Sequence, residues 1–442
     1  MNCRCLFYPA AFALPELFNQ KRTAAILKPA YFSSRLEALR GVAAVMVAVW
    51  HTFAICPGSG LQAVAIEWIR RFSNGNAAVT LFFVLSGYVL GLSLRKSSES
   101  SAKQVLGFGV RRLFRIYPAF LFATLLVVGC LYYSHYVEGL FPPWFNSAGD
   151  YRAPELNPGR PPTLGVLIAN LVLWDPSINY VTWTLGIELR CSLLLPLLYW
   201  WSRHLSIRGR GMLLLALIFS ACLGKWCLLL GSARAEAVVA LVVSGFTGFL
   251  FLFYLGYLLP EIGPILFEKL RRSPVAAFFL PWVAAIVWLC ADSWGDEFRV
   301  LQGAGATLLI GSLLYGAEGR VWRMLDYPLA KFYGRISFSF YLWHDLVLVV
   351  CARTLAHLAS LAVRSNDSIL CGAVLLLGSV LLATGVASLS ARFIERPFIG
   401  YGKDLTAKLF GRAAEIGPNP QILPAPEQAS PLFEAPPADR AA

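Results

Sequence analysis

Arg40-Gly-Val-Ala-Ala-Val-Met-Val-Ala-Val-Trp-His51 is an apolar run with an ionisable side chain at each end. Read as an α-helix at about 100° per residue, the eleven steps from Arg40 to His51 return to within about 20° of one azimuth, about 16 Å apart along the axis. Ala44 and Val47 fill the stripe between them. A charged group inside a membrane span costs about 2.5–3.5 kcal/mol even on insertion scales, and such residues face a bundle interior or a wet cavity. The stretch therefore reads as one wall of a site.

The rest of the chain has the composition that this reading needs. Of its 442 residues 57% are hydrophobic and 14% charged, and the mean hydropathy is +0.61, which excludes an ordinary soluble protein. The expected fold is all-α, a polytopic membrane bundle. The net charge of +13 does not imply nucleic acid as a partner, because the basic residues stand in short clusters between apolar runs, as topology signals do. The ten cysteines lie mostly singly inside apolar runs, where Cys packs as a small hydrophobe, and make neither a disulfide framework nor a metal set. Cys3-x-Cys5 is the one close pair and is too little for zinc, so no metal is expected. Pro9, Pro15 and Glu16 argue against a cleaved signal peptide.

Runs long enough to cross, or nearly so, are 36–56, 77–94, 116–134, 183–201, 211–230, 237–258, 275–291, 298–315, 336–357 and 369–391. The segment 164–175 is apolar but short, fit for a re-entrant or interfacial helix. Charged flanks decide the topology, since the more basic side is cytoplasmic. Lys21, Arg22, Lys28 and Arg35, then Arg95, Lys96, Lys103, Arg111, Arg112 and Arg115, belong inside. Arg203, Arg208 and Arg210, Arg271 with Arg272, and Arg320, Arg323 and Lys331 follow them only if 164–175 does not cross. Asp292, Asp296 and Glu297, and the loop with Glu138, Asp150 and Glu155, then lie outside. The expectation is about ten spans in the cytoplasmic (inner) membrane with both termini cytoplasmic: a lead-in 1–34, a transmembrane domain 35–400, and a disordered, Pro- and Ala-rich tail 401–442.

Few side chains can carry chemistry. His135, His204 and His357 fall in loops or at span ends, whereas His51 and His344 lie inside spans. A lone buried histidine is more often structural than catalytic. His51 stands apart because it shares a face with Arg40 and is the residue of that span suited to acid/base work. Trp183-Thr-Leu-Gly-Ile-Glu188 opens a span running inward, which places Glu188 within about two turns of the outer surface, at a depth comparable with His51. It could orient and polarise the imidazole, or pair with Arg190 or another buried cation. Arg112 and Arg115, at i,i+3, can form a fork for phosphate or anchor the topology, and spacing does not separate the two. Ser86 beside Gly87 marks a packing break or offers a hydroxyl to substrate.

Taken together, Arg40 and His51 with ten residues between them, Phe83-Val-Leu-Ser-Gly-Tyr88, Arg112-Leu-Phe-Arg-Ile-Tyr-Pro118, Trp183-Thr-Leu-Gly-Ile-Glu188, Gly334-Arg-Ile-Ser-Phe-Ser-Phe-Tyr-Leu-Trp-His344 and Glu395-Arg-Pro397 resemble the acyltransferase-3 family of membrane O-acyltransferases. The motifs come in the family's order over roughly residues 35–400. The resemblance implies a bundle of about ten helices that moves an acyl group, usually acetyl, from cytoplasmic acyl-CoA to a hydroxyl of an extracytoplasmic or lipid-linked glycan. It implies that Arg40 and His51 are essential, and that Arg112 and Arg115 bind the donor. The chain departs from the family pattern where Glu188 is followed by Leu-Arg-Cys instead of an aromatic run, and where Asp345 follows His344 without Trp-Pro. The family's optional soluble esterase-like domain is not expected. These departures bear on the acceptor. His51 is then either general base or transient acyl carrier, with Glu188 beside it and Ser86 at the donor. The rival class is a transporter or flippase for a sugar-linked lipid or anionic solute, in which Arg40, His51 and Glu188 bind substrate or relay protons.

Overall fold

The computed structural model describes residues 29–56, 60–95, 102–136, 163–230, 248–291, 296–316, 320–362 and 368–410. No strand occurs among them. In chain order the helices are α1 (Pro29–Ala54), α2 (Gly60–Phe72), α3 (Gly75–Arg95), α4 (Ala102–Tyr136), α5 (Leu164–Leu171), α6 (Trp183–Ser202), α7 (Ile207–Leu230), α8 (Gly248–Arg271), α9 (Pro274–Cys290), α10 (Asp296–Tyr315), α11 (Pro328–Ala362), α12 (Ser368–Ser390) and α13 (Arg396–Phe410). A 3₁₀ turn at Tyr180–Thr182 leads into α6, and a π-helical turn at Ala391–Glu395 joins α12 to α13. Cys3-x-Cys5, the acidic loop with Glu138, Asp150 and Glu155, and residues 411–442 lie outside the described residues; the first part of the tail expected to be disordered from 401 is instead helical, in α13, through Phe410.

Seven of the described helical segments are long and apolar enough to cross a membrane: Ser34–Ala54, Gly60–Arg95, Val105–Gly129, Tyr180–Ser202, Gly248–Leu270, Pro328–Ala352 and Ile369–Phe410. The expected count of about ten is not reached by this measure. Helices α7, α9 and α10 occupy the three remaining expected places; α9 has 17 residues, short of a comfortable crossing. Of the run expected at 237–258, residues 237–247 lie outside the described residues and the remainder lies in α8.

The segment 164–175 does not form a span. Its helix α5 has 8 residues, about 12 Å at 1.5 Å per residue. Thr163 caps it by accepting from Val166 N, and the chain turns at Leu173, whose φ is 58°. Asn170 closes the turn, donating to Ser177 Oγ at 3.0 Å and accepting from Ile178 N at 3.0 Å. Arg190, on α6, then holds the turn down by donating to Leu173 O at 2.9 Å. The ion pair of Glu188 with Arg190 weighed from sequence is not made, because the Arg190 guanidinium is spent on this carbonyl and on Gly186 O at 2.8 Å.

Two glycine crossings set the bundle's geometry. On α3 and α8, a Cβ on Gly87 would stand 2.0 Å from Phe253 O, and one on Gly256 would stand 2.0 Å from Val84 O. Ser86-Gly87 is therefore a point of backbone contact, and any larger residue at Gly87 would force the helices apart. On α1 and α11, Gly41 and Gly334 face each other in the same way, with a Cβ on Gly41 2.4 Å from Gly334 N. Asp326, just before α11, accepts from buried Arg35 of α1 at 2.7 Å, so the two helices run parallel from a common end.

One carboxylate fixes the relative sidedness of three more helix ends. Glu261 on α8 pairs with both Arg95, at the end of α3, and Arg210, at the start of α7. Arg95 also donates to Tyr257 O at 2.8 Å. Residues 95 and 210 thus lie at one level, and between them the chain crosses out through α4 and back through α6, with no further crossing at 164–175. Reporter fusions at residues 98 and 206 are expected to report the same side of the membrane and a fusion at residue 150 the opposite one. A matching signal at 150 and 206 would contradict this arrangement.

Candidate active site

The parallel crossing of α1 and α11 determines what meets further along. His51 lies ten residues beyond Gly41 and His344 lies ten residues beyond Gly334, so both imidazoles sit about 15 Å up from the contact, at one height. Their ring centroids are 5.4 Å apart. Small residues keep the helices close between the two levels: Ala44 and Ala48 pack against Ile336, Phe340 and Val347. His51, His344 and Asp345 are 6%, 2% and 5% exposed, which places three ionisable groups side by side in the protein interior.

Each imidazole is held differently. His51 Nδ1 stands 3.9 Å from Asp345 Oδ1, within charge–charge reach but longer than a hydrogen bond. The carboxylate beside His51 is thus Asp345. His344 Nδ1 lies 2.6 Å from Tyr341 O, and since a carbonyl only accepts, Nδ1 carries the proton and Nε2 the lone pair. Among the described residues His344 Nε2 has no partner. Tyr341 accepts from Thr184 Oγ1 at 3.1 Å, and Tyr180 lies within electrostatic reach of Asp345. His344 also lines a narrow crevice between α1, α11 and α12, too tight to hold a water molecule, with Ala48, Thr52, Phe340, Ser379 and Ala383.

A second group of charges gathers nearer the other end of α1. Arg112 Nη2 donates to Glu188 Oε1 at 2.5 Å, and Ser86 Oγ donates to the same oxygen at 3.4 Å. Arg40 interacts with Glu188 and Glu37 as favourable charges and with Arg112 and Arg115 as unfavourable ones. Arg335 on α11 also acts on Glu37, so guanidiniums outnumber carboxylates in this group. The Nε atoms of Arg40 and Arg112 have no partner among the described residues, and Arg112 is 7% exposed. Unspent donors on buried cations give the cluster capacity for an anion.

This geometry sorts the residues singled out from sequence. Arg40, Arg112, Arg115, Glu188 and Ser86 form one group; His51 stands in the other, with Asp345 and His344. Sequence reading put Arg112 at the cytoplasmic face and Glu188 at the depth of His51, yet the 2.5 Å ion pair sets them at one level. The physical reason is helix length. Helix α4 has 35 residues, so Arg112 lies about 15 Å beyond its start, while Glu188 lies about 12 Å beyond the Tyr180 turn. Tyr341, within electrostatic reach of both Glu188 and Asp345, links the two groups.

With this site in place, the comparisons with known proteins narrow its chemistry. The family model of an acyltransferase domain matches residues 33–388. The chain belongs to the acyltransferase-3 family. No curated protein and no solved structure matches it. Every residue of the two clusters lies inside the matched span of this acyltransferase. Glu395 lies just past it, where the π-helical turn aims its carboxylate back at α11 to accept from Ser339 Oγ at 2.7 Å. That bond ties the Glu395-Arg-Pro397 motif to the helix carrying His344.

Sequence reading passed over Asp345 as a partner of His51 and left His344 without a role. The signal for both is the equal offset of ten residues from Gly41 and from Gly334, which becomes informative once those glycines are read as one crossing.

Proposed function

We propose that this acyltransferase is a membrane O-acyltransferase of the cytoplasmic membrane, with both termini cytoplasmic, that moves an acyl group, acetyl in the simplest case, from cytoplasmic acyl-CoA to a hydroxyl of an extracytoplasmic or lipid-linked glycan. The observation that carries this reading is the division of α1 between two sites. Arg40 belongs to a partly buried arginine cluster with spare donors, and His51, about 16 Å further along the same face, belongs to a buried His–Asp–His group. Coenzyme A is a long polyanion with a thioester at its far end, and it requires both features in one line. Arg112 and Arg115 hold the donor phosphates, Arg40 adds a third cation, and Ser86 supplies a hydroxyl. Glu188 neutralises part of this charge while the site is empty, which lowers the cost of burying arginines in the membrane.

At the other end, Asp345 places a negative charge beside His51 Nδ1 and so favours the tautomer with its lone pair on Nε2. That nitrogen either takes the proton of the acceptor hydroxyl or attacks the thioester. The test of the whole reading is mass spectrometry of cell-surface glycans from cells with and without the gene. Loss of one ester-linked acyl mass on deletion, and its return with the wild-type gene, is the expected result. Unchanged glycans together with an undiminished acyl-CoA pool would overturn it.

A further inference from the structure

His344 is used by nothing described so far, yet its environment is specific. Its Nδ1–H is committed to Tyr341 O at 2.6 Å, which fixes the tautomer and leaves a lone pair on Nε2. The residue is 2% exposed, and Nε2 has no hydrogen-bond partner among the described residues. A buried acceptor left unmatched costs about 1–3 kcal/mol, and such a cost is sustained at a position that receives a partner during function. The ring faces His51 at 5.4 Å on one side and lines the crevice with the Thr52 and Ser379 side chains on the other. Both of those hydroxyls are engaged, Thr52 with Ala48 O at 2.8 Å and Ser379 with Leu376 O at 3.2 Å. His344 Nε2 is therefore an unmatched acceptor nitrogen in the ring beside His51.

We propose that His344 Nε2 is the general base that takes the proton from the acceptor hydroxyl, leaving His51 to act on the donor. The proposal rests on the acyltransferase reading above and assigns the two imidazoles different halves of it. In the first half the His51 lone pair forms a bond to the acyl carbon, the C–S bond breaks, and CoA leaves as thiolate. In the second half the acceptor oxygen attacks the acyl carbon, its proton passes to His344 Nε2, and the C–N bond to His51 breaks. The proton on His344 then neutralises the thiolate, so acyl-CoA and alcohol become ester and CoA thiol with no other reactant. Distinct partners suit the two roles. Asp345 stands beside His51 Nδ1 and stabilises positive charge on it, while the carbonyl bond of His344 fixes its proton on Nδ1 and leaves Nε2 free to accept another.

The test uses the full-length protein in lipid nanodiscs, with acetyl-CoA as donor and two acceptors: a glycan hydroxyl, which needs a base, and hydroxylamine, which attacks as a neutral amine without one. For His344→Gln the glycan reaction is expected to fall about 10²-fold or more, while transfer to hydroxylamine stays within a few-fold of wild type. A purely structural role would lower both acceptors together, and that result, or a glycan rate equal to wild type, would overturn the proposal. If the wild-type protein transfers acetyl to neither acceptor, the acyltransferase reading itself fails, and it does so before any variant is compared. Folding is monitored by the thermal midpoint of the variant in the same nanodiscs.

Discussion

His51→Gln is expected to lower acyl transfer by about 10²–10⁴-fold, the range associated with losing a positioned acid–base group, while the protein inserts and unfolds like wild type. Glutamine keeps the size and a hydrogen-bonding end, so it preserves contact with Asp345 and with the Trp50 ring, which meets the imidazole edge-on at 5.0 Å. It supplies neither a basic nitrogen nor a nucleophile. His51→Ala is expected to lose the same activity with little added cost in stability, because α1 is already lined by Ala43, Ala44 and Ala48 at its buried contacts. The check is transfer to a glycan hydroxyl in nanodiscs, with the thermal midpoint measured alongside. A His51→Gln protein that acylates at near wild-type rate would make His51 structural and move the chemistry onto His344 and Asp345 alone.

Much of the fold was legible in the sequence, and the reasons are physical. Apolar runs of span length announce helices whatever they pack against, and basic clusters announce their ends, which is why charge alone marks 164–175 as non-crossing, in agreement with its Asn170 turn and Arg190 anchor. Arg112 and Ser86 stand out in the sequence because ionisable and hydroxyl groups are conspicuous in apolar surroundings. Pairing was less legible. Depth within a span was inferred from distance to the nearest loop, and this works only when the helix starts at the membrane surface. Helix α4 begins at Ala102, well before the apolar run that the sequence marks from residue 116, so Arg112 lies within the helix and its guanidinium reaches Glu188, which distance to the nearest loop places in the opposite half. Which carboxylate serves His51 depends on interhelix register, and register is written in small residues such as Gly41 and Gly334, which carry no chemistry of their own.

The ion pair of Arg112 with Glu188 gives the second large expectation and explains why a single substitution there is ambiguous. Arg112→Gln removes a proposed phosphate ligand, but it also strands the Glu188 carboxylate, whose side chain is only 18% exposed, leaving it the weaker 3.4 Å contact from Ser86 and the more distant arginine charges. Breaking a buried pair from one side costs about 3–5 kcal/mol, enough to lower the folded yield and with it every activity. Substituting both partners, Arg112→Gln with Glu188→Gln, leaves no unpaired charge where the ion pair stood, so most of that stability is expected to return. Donor binding should not return with it. Each charged hydrogen bond to phosphate is worth about 1.5–3 kcal/mol, which corresponds to a rise of about 10- to 150-fold in the Kd for CoA. The single and double variants are compared by thermal midpoint and by calorimetric titration with CoA in nanodiscs. The expected pattern is a destabilised single variant, a double variant restored in stability, and CoA binding weakened in both. A double variant that binds CoA as tightly as wild type would make the Arg112–Glu188 pair a helix clamp between α4 and α6, and would leave donor recognition to Arg40 and Arg115.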